Sequence, residues 1–189
     1  MVQPSPSDIR YTVDEYFGLV ANGALHPDDR VELLEGVIVA MAPQNPPHAG
    51  ATTIAAEVIR QAVGTTAVIR VQAPLILGSR SVPEPDIALV AGPATQYLRH
   101  HPQKALLVIE VAETSLPQDR LTKARLYATA AIPEYWIINC REWSVEVFRE
   151  PDPEAHLYRT ITTARRGDLL ELVAVPAAIV HVSDLLPAG

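Results

Sequence analysis

Residues 105–112 constrain the fold most, because this run is apolar at nearly every position rather than at alternate ones. Such a run is typical of a strand covered on both faces, so it predicts a central strand of a sheet. Glu110 interrupts the run, and burying an ionised carboxylate is costly unless the group is paired or bound to a metal. The alternative is that the strand ends there, with Glu110 solvated or bridged to an arginine.

The remaining pattern surrounds this strand with helices and further strands. Apolar residues at helical spacing predict helices over residues 14–21, 48–63 and 119–130. Two short apolar runs hinged at Glu35-Gly36 predict an N-terminal β-hairpin within residues 30–40. Runs rich in Val, Ile and Leu predict strands over residues 68–77 and 85–91, which are expected to pair, and over 134–139, 143–148, 168–175 and 179–182. This order indicates a mixed α/β or α+β domain.

The chain length fits a single domain spanning residues 1–189, with the Pro- and Ser-rich residues 1–10 as a flexible lead-in. The longest apolar runs fall short of the roughly 18 residues that a membrane span needs. The N-terminal residues lack the features of a secretory signal, and Cys140, the single cysteine, can form no internal disulfide. We therefore expect a cytoplasmic protein without a membrane partner.

The formal net charge of −7, from 15 Lys and Arg against 22 Asp and Glu, counts against broad binding to phosphate backbones. It does not exclude a nucleic-acid substrate, because divalent cations neutralise carboxylate clusters and basic groups can lie beside an acidic site. Basic residues gather in the middle third of the chain: Arg60, Arg70, Arg80, Arg99, His100, His101, Lys104, Arg120, Lys123 and Arg125.

Two further residues are candidates for chemistry. Asp86 follows Pro85 at the start of a predicted strand, where an aspartate is ordinarily a turn former. If that strand neighbours the strand of Glu110, the two carboxylates converge at the sheet margin as hard oxygen ligands of the kind that Mg²⁺ takes. Lys123 stands four residues after Asp119, which is typical of an exposed ion pair on a helix. The sharper hypothesis is that the helix directs the Lys123 ammonium at the metal centre.

Several short segments carry a family resemblance: Pro85-Asp86, residues 107–115, residues 119–123, Tyr127-Ala128 and residues 132–138. In this order they resemble the Uma2-like family, also called DUF820, a putative restriction endonuclease family of the PD-(D/E)XK nuclease superfamily. The resemblance extends over residues 30–159, and residues 110–138 are its most specific part.

The resemblance implies a restriction-endonuclease-like fold, in which a central mixed sheet is flanked by helices. It implies Mg²⁺ or Mn²⁺ as cofactor, with Asp86, Glu110 and the backbone carbonyl of Val111 as metal ligands. The superfamily places a lysine two residues after the glutamate, where this chain has Ala112. The resemblance assigns the role of that lysine to Lys123.

Three supporting residues follow from the same resemblance. It implies Glu32 as an additional carboxylate and His48 as a metal or phosphate contact, whereas each alone is typical of a surface or capping group. Asp119 is expected to orient Lys123.

The implied function is a metal-dependent endonuclease that hydrolyses phosphodiester bonds of DNA, acting as a homodimer because both strands must be cut. Two alternatives stay open. The acidic net charge and the displaced lysine favour a noncatalytic binding or assembly module of the same fold. The same carboxylates would also serve a metal-dependent phosphoesterase that acts on a small substrate.

Overall fold

The computed structural model describes residues 10–26, 28–113 and 115–186. The predicted flexible lead-in therefore lies, apart from Arg10, outside the described residues. The helices are α1 (Val13–Ala21), α2 (Pro46–Val63), α3 (Leu116–Gln118), α4 (Ala124–Thr129) and α5 (Val182–Leu185). The strands are β1 (Val31–Leu34), β2 (Val37–Ala40), β3 (Val68–Val71), β4 (Ile87–Val90), β5 (Leu107–Ala112), β6 (Glu134–Asn139), β7 (Ser144–Asp152), β8 (Leu157–Arg165), β9 (Leu169–Glu171) and β10 (Ile179–His181).

A six-stranded sheet in the order β3-β4-β5-β6-β7-β8 forms the centre of the fold. Only β5 and β6 run parallel, and the other neighbouring pairs are antiparallel. Every residue of β5 is buried, as its continuous apolar run predicts. The helical segment from α3 to α4 supplies the connection that a parallel pair requires.

Alternate residues of the central strands build two cores. On one face, Ile109 and Trp136 pack in the same cluster as Ala55 and Ile59 of α2. On the other face, the cluster around Tyr135 contains the buried residues of α4. The sheet is therefore covered by helices on both sides, as the sequence predicts. No helix in the described part of the chain is long and apolar enough to cross a membrane.

The N-terminal elements form a small unit at one side of the sheet. α1 begins with a capping box in which Thr12 and Glu15 satisfy each other's backbone N–H groups. The hairpin of β1 and β2 turns at Glu35-Gly36, as predicted. Its Leu33 exchanges backbone hydrogen bonds with Val82, so the hairpin is tied to the chain that enters β4.

Several predicted boundaries are wrong: the strand predicted over residues 168–175 ends at Glu171, and two further boundaries differ for a backbone reason. The predicted strand 68–77 ends at Val71, because Gln72 has a φ of 48° and Pro74 cannot donate to a ladder. The helix predicted over residues 119–130 begins at Leu116 and contains a π-helical turn, Asp119–Lys123. That turn leaves Leu121 72% exposed, whereas Ala124, Tyr127 and Ala128 of the same helical segment are buried.

Candidate active site

An acidic cleft of about 120 Å³ lies where β5 ends, between the sheet, the N-terminal hairpin and the π-helical turn. It contains every residue proposed from the sequence as catalytic, supporting or metal-binding. Its lining includes one lysine, Lys123, and the carboxylates of Glu32, Glu84, Asp86, Glu110, Glu113 and Asp119.

The β4–β5 ladder brings the two predicted metal ligands together. Ile87 pairs with Ile109 in antiparallel register, so the next step of that register sets Asp86 opposite Glu110. Side chains opposite each other in such a pair lie on the same face of the sheet. Asp86 Oδ2 also accepts a hydrogen bond of 2.8 Å from the Val111 backbone N–H.

Asp86 is held in its ionised form by donors from three elements. Its Oδ1 lies 3.0 Å from His48 Nε2, at the start of α2, and accepts a hydrogen bond of 3.2 Å from Gln72 Nε2. Burial alone would raise the pKa of Asp86, but the hydrogen bond and charge of His48, followed by the Val111 and Gln72 donors, lower it overall. The same hydrogen bond raises the pKa of His48 against the opposing effect of burial.

Glu110 has the opposite electrostatic surroundings. Its Oε1 accepts hydrogen bonds from Lys123 Nζ at 3.0 Å and from Tyr127 OH at 2.7 Å. No donor among the described residues contacts its Oε2. Burial raises the pKa of Glu110 to about 8; Lys123 opposes this rise, and the charges of Asp86, Asp119 and Glu32 add to it.

The Lys123 ammonium is buried between carboxylates. Besides Glu110, it contacts Glu32 Oε1 at 3.7 Å. Burial lowers the pKa of Lys123, but the charges of Glu110, Glu32 and Asp119 outweigh burial and raise it overall, so the ammonium stays protonated. The interpretation of Lys123 as a surface residue is therefore wrong.

Asp119 does not form the i,i+4 ion pair that its spacing from Lys123 indicates. Its carboxylate instead accepts a hydrogen bond of 2.6 Å from Ser115 Oγ. Its charge raises the pKa of Lys123 without a direct ion pair. Both residues are buried because the π-helical turn carries one additional residue, a feature that is frequent at functional sites.

The donor set fits a hard divalent cation. Mg²⁺ usually takes one or two protein carboxylates and completes its coordination with water and phosphate oxygens. No three His, Cys, Asp or Glu side chains among the described residues converge as a ready-made metal cage. Asp86 and Glu110 do suit a two-carboxylate site, and a bound cation would offset the burial and the repulsion from Asp86 that raise the pKa of Glu110.

Two side chains that donate to the proposed metal ligands were not predicted. Tyr127 donates to Glu110, and its position four residues after Lys123 on a helix was the available signal. Gln72 donates to Asp86 from a position with positive φ, which no sequence pattern indicates.

Comparisons with known proteins agree with this architecture. A family model described as "Uma2: Putative restriction endonuclease" matches residues 13–183. Among solved structures, the chain is similar to a "putative nuclease belonging to DUF820" from Anabaena variabilis ATCC 29413, with a TM-score of 0.67 and 17% sequence identity over 93% of this chain and 97% of that chain. No curated protein matches the chain. The structural likeness confirms the predicted nuclease-like fold.

Proposed function

The chain belongs to the Uma2 family, as its sequence predicts, and from that premise we propose that it is a divalent-metal-dependent endonuclease that hydrolyses phosphodiester bonds of DNA. The family and the fold support a nuclease. The metal requirement, the DNA substrate and the residue roles are the proposed part.

One arrangement carries the proposal. Asp86 and Glu110 come from neighbouring strands and share a face of the sheet, and the Lys123 ammonium lies 3.0 Å from Glu110 Oε1. Lys123 reaches this position from the π-helical turn, whereas the superfamily pattern would place the lysine at Ala112 of the same strand. Two carboxylates with one buried cation supply the ligands and the electrostatic stabilisation that phosphodiester hydrolysis needs.

Neighbouring side chains would orient the two carboxylates for metal binding. A cation held by Asp86, Glu110 and the Val111 carbonyl would polarise the phosphate and lower the pKa of a bound water. His48 and Gln72 fix the Asp86 carboxylate, and Tyr127 fixes Glu110. Lys123 stays protonated and would donate to oxygen atoms of the water or the phosphate as negative charge develops on them.

Cleavage assays test this proposal. We expect the protein to cut plasmid DNA with Mg²⁺ or Mn²⁺ and to lose this activity in EDTA. Asp86→Asn, Glu110→Gln and Lys123→Met should each lower the cleavage rate by about 100-fold or more, as loss of a group that stabilises transition-state charge does.

Glu57→Gln is the matched control, because Glu57 is an exposed carboxylate in an ion pair with Arg60 on α2. It should cleave at the wild-type rate. Undiminished cleavage in the Asp86→Asn and Glu110→Gln variants would refute the site.

The narrow, carboxylate-rich cleft also favours a second candidate, a metal-dependent phosphoesterase for a small substrate. Hydrolysis of a phosphate monoester such as p-nitrophenyl phosphate, without cleavage of DNA or RNA, would favour it over the endonuclease.

We also propose that the protein acts as a homodimer, as cutting both strands requires. β8 lies at the end of the strand order, and Ile161 at its midpoint is 60% exposed. An antiparallel pairing of two β8 strands about a two-fold axis would bring both copies of Ile161 together and cover Leu121 and Leu157, which line the same groove. Light scattering tests this proposal: the wild type should have the mass of a dimer, and Ile161→Glu should have the mass of a monomer.

A cytoplasmic location stays a prediction.

A further inference from the structure

One segment of this acidic chain contains more basic than acidic residues. Residues 58–109 contain five Arg and Lys but only two carboxylates, Glu84 and Asp86, and both of these line the cleft. The rest of the chain carries 20 acidic residues against 10 basic ones. The β3 edge of the sheet and the β4–β5 connection are therefore the cationic part of an acidic protein.

The connection from β4 to β5 carries Arg99 and Lys104 together with two histidines, and Lys104, His100 and His101 line a groove of about 670 Å³. Arg99, His100 and Lys104 are exposed, and none of them has an ion-pair partner within the described ranges. We define the basic loop patch by six residues: Arg70, Tyr97, Arg99, His100, His101 and Lys104.

The base of the basic loop patch is ordered by ring contacts. The Arg70 guanidinium lies 5.8 Å from the centroid of the Tyr97 ring, and Arg70 Nη2 is 3.5 Å from His101 Nδ1. Burial and the neighbouring Arg70 charge lower the pKa of His101, so its neutral ring can accept this contact. His101 also stacks on Phe17 of α1, with ring centroids 5.7 Å apart. α1 carries Asp14 and Glu15, and Glu15 is held by the Thr12 cap.

The basic loop patch shares a sheet face with the cleft. Arg70 pairs with Ala88 in the β3–β4 ladder, and Ala88 packs with Val108, two residues before Glu110 on β5. Gln72, two residues after Arg70, contacts Asp86 directly. Two residues of a strand span about 7 Å, so Arg70, at the base of the patch, lies roughly two base-pair steps of a duplex from the candidate metal ligands.

We propose that the basic loop patch binds the phosphate backbone of the DNA duplex beside the bond that is cleaved; this rests on the proposed endonuclease function. Unpaired, exposed cations in a segment almost free of carboxylates are the groups that contact phosphates and release counterions. The patch thereby supplies the attraction for DNA that the carboxylate-lined cleft lacks.

Binding of a fluorescein-labelled 20-base-pair duplex, measured by anisotropy over a KCl series without divalent metal, tests the patch independently of cleavage. Arg99→Ala/Lys104→Ala should weaken binding about tenfold and reduce the magnitude of the log–log salt slope by about 2, since each phosphate contact contributes about 0.9. Both side chains are exposed, so the folded state should be retained.

Arg60→Ala/Arg141→Ala is the control, because it also removes two exposed cations, but from α2 and from the turn between β6 and β7, outside the basic loop patch, the cleft and β8. It should leave the affinity and the salt slope unchanged. Equal losses in both double variants, an unchanged affinity in Arg99→Ala/Lys104→Ala, or no binding of duplex by the wild type would overturn the patch. The patch would also be overturned if Arg99→Ala/Lys104→Ala weakened binding only to single-stranded RNA of the same length and not to the DNA duplex. Duplex binding through the patch without metal-dependent cleavage would instead refute only the proposed nuclease activity.

Discussion

Asp86 and Glu110 are both buried carboxylates, yet their neighbours set their charges differently. Asp86 accepts from His48, Gln72 and the Val111 N–H, which lower its pKa despite burial. Glu110 lies deeper, and among the described residues its only side-chain donors are Lys123 and Tyr127. Its pKa rises to about 8 because burial exceeds what the ammonium offsets. At the scale of single residues, the site is a set of carboxylates whose negative charge the nearby cations do not fully neutralise.

Tyr127 is expected to position Glu110 rather than to react. Tyr127→Phe removes the 2.7 Å hydrogen bond and keeps the ring in the core. We expect Mn²⁺ affinity to fall about tenfold or more, as when other groups that orient metal ligands are removed. Isothermal calorimetry measures this affinity. Tyr158→Phe is the control, because the Tyr158 hydroxyl also donates a buried hydrogen bond, of 2.9 Å, but to the Ile132 carbonyl outside the cleft. This variant should bind Mn²⁺ with the wild-type affinity.

Glu134 illustrates a buried carboxylate with a structural role. Its Oε1 accepts from Arg149 Nε at 2.8 Å and Trp136 Nε1 at 2.9 Å, and its Oε2 accepts from the Val173 N–H at 3.0 Å. Arg149 also donates a hydrogen bond to the Glu171 carbonyl. The Glu134–Arg149 ion pair therefore connects the residues near β9 to the central sheet.

Glu134→Gln should lower the free energy of unfolding by about 3 kcal/mol, because it leaves the partly buried Arg149 charge without its counterion. Urea unfolding followed by circular dichroism measures the change. Glu57→Gln removes an exposed pair and should leave the unfolding midpoint nearly unaltered. Equal midpoints for the two variants would show that the buried network does not stabilise the fold.

Among the elements, the π-helical turn Asp119–Lys123 matters most for the site. It joins α3 to α4 without ending the helix and buries both Asp119 and Lys123. α4 is anchored in the core by Leu126, Tyr127 and Ala128. The additional residue of the turn therefore sets the direction of side chains at its N-terminal side, including Ser115 and Asp119.

Deleting Leu121, which is 72% exposed, should convert the π-helical turn into regular α-helix. The segment before the deletion would rotate by about 100° relative to α4, since an α-helix has 3.6 residues per turn. We expect helical content by circular dichroism to persist and metal-dependent cleavage of plasmid DNA to be lost, because Asp119 would no longer face the Lys123 ammonium. Leu121→Ala, which keeps the register, should cleave at the wild-type rate. Undiminished cleavage by the deletion variant would contradict a role for the turn.

For the whole molecule, charge is distributed unevenly around the sheet. Six carboxylates line the cleft, whereas the basic loop patch lies by the β3 edge. A site rich in carboxylates lowers the free energy of unfolding of the metal-free protein, because like charges repel in a poorly solvated cleft. Metal binding should therefore appear as a gain in global stability.

Mn²⁺ at 100 times its Kd should stabilise the folded protein by about 2.7 kcal/mol through mass action. For a chain of this length the gain corresponds to a rise in Tm of about 5–10 °C, measurable by calorimetry and reversed by EDTA. Glu57→Gln should show the full rise. Asp86→Asn and Glu110→Gln should show little or none, and a full rise in either would place the metal elsewhere.

The sequence alone determined the central strand, the helices that cover it and the unusual position of Glu110, whereas Asp86 was singled out by the family resemblance. A continuous apolar run requires burial on both faces, and a carboxylate within it requires a partner, so Glu110 could be recognised locally. The edge strand β8 was not predicted, because most of its side chains are exposed and it has little apolar alternation.

Only the tertiary structure decided what surrounds those carboxylates. The position of Tyr127 beside Glu110, of Gln72 beside Asp86 and of Lys123 inside the cleft depends on a π-helical turn and on a positive φ. The family resemblance predicted Lys123 at the metal centre, whereas helical spacing alone indicated an exposed Lys123 paired with Asp119. Packing of the helix on the Glu110 strand changed that, because contacts between elements distant in sequence decide which side of a helix is buried.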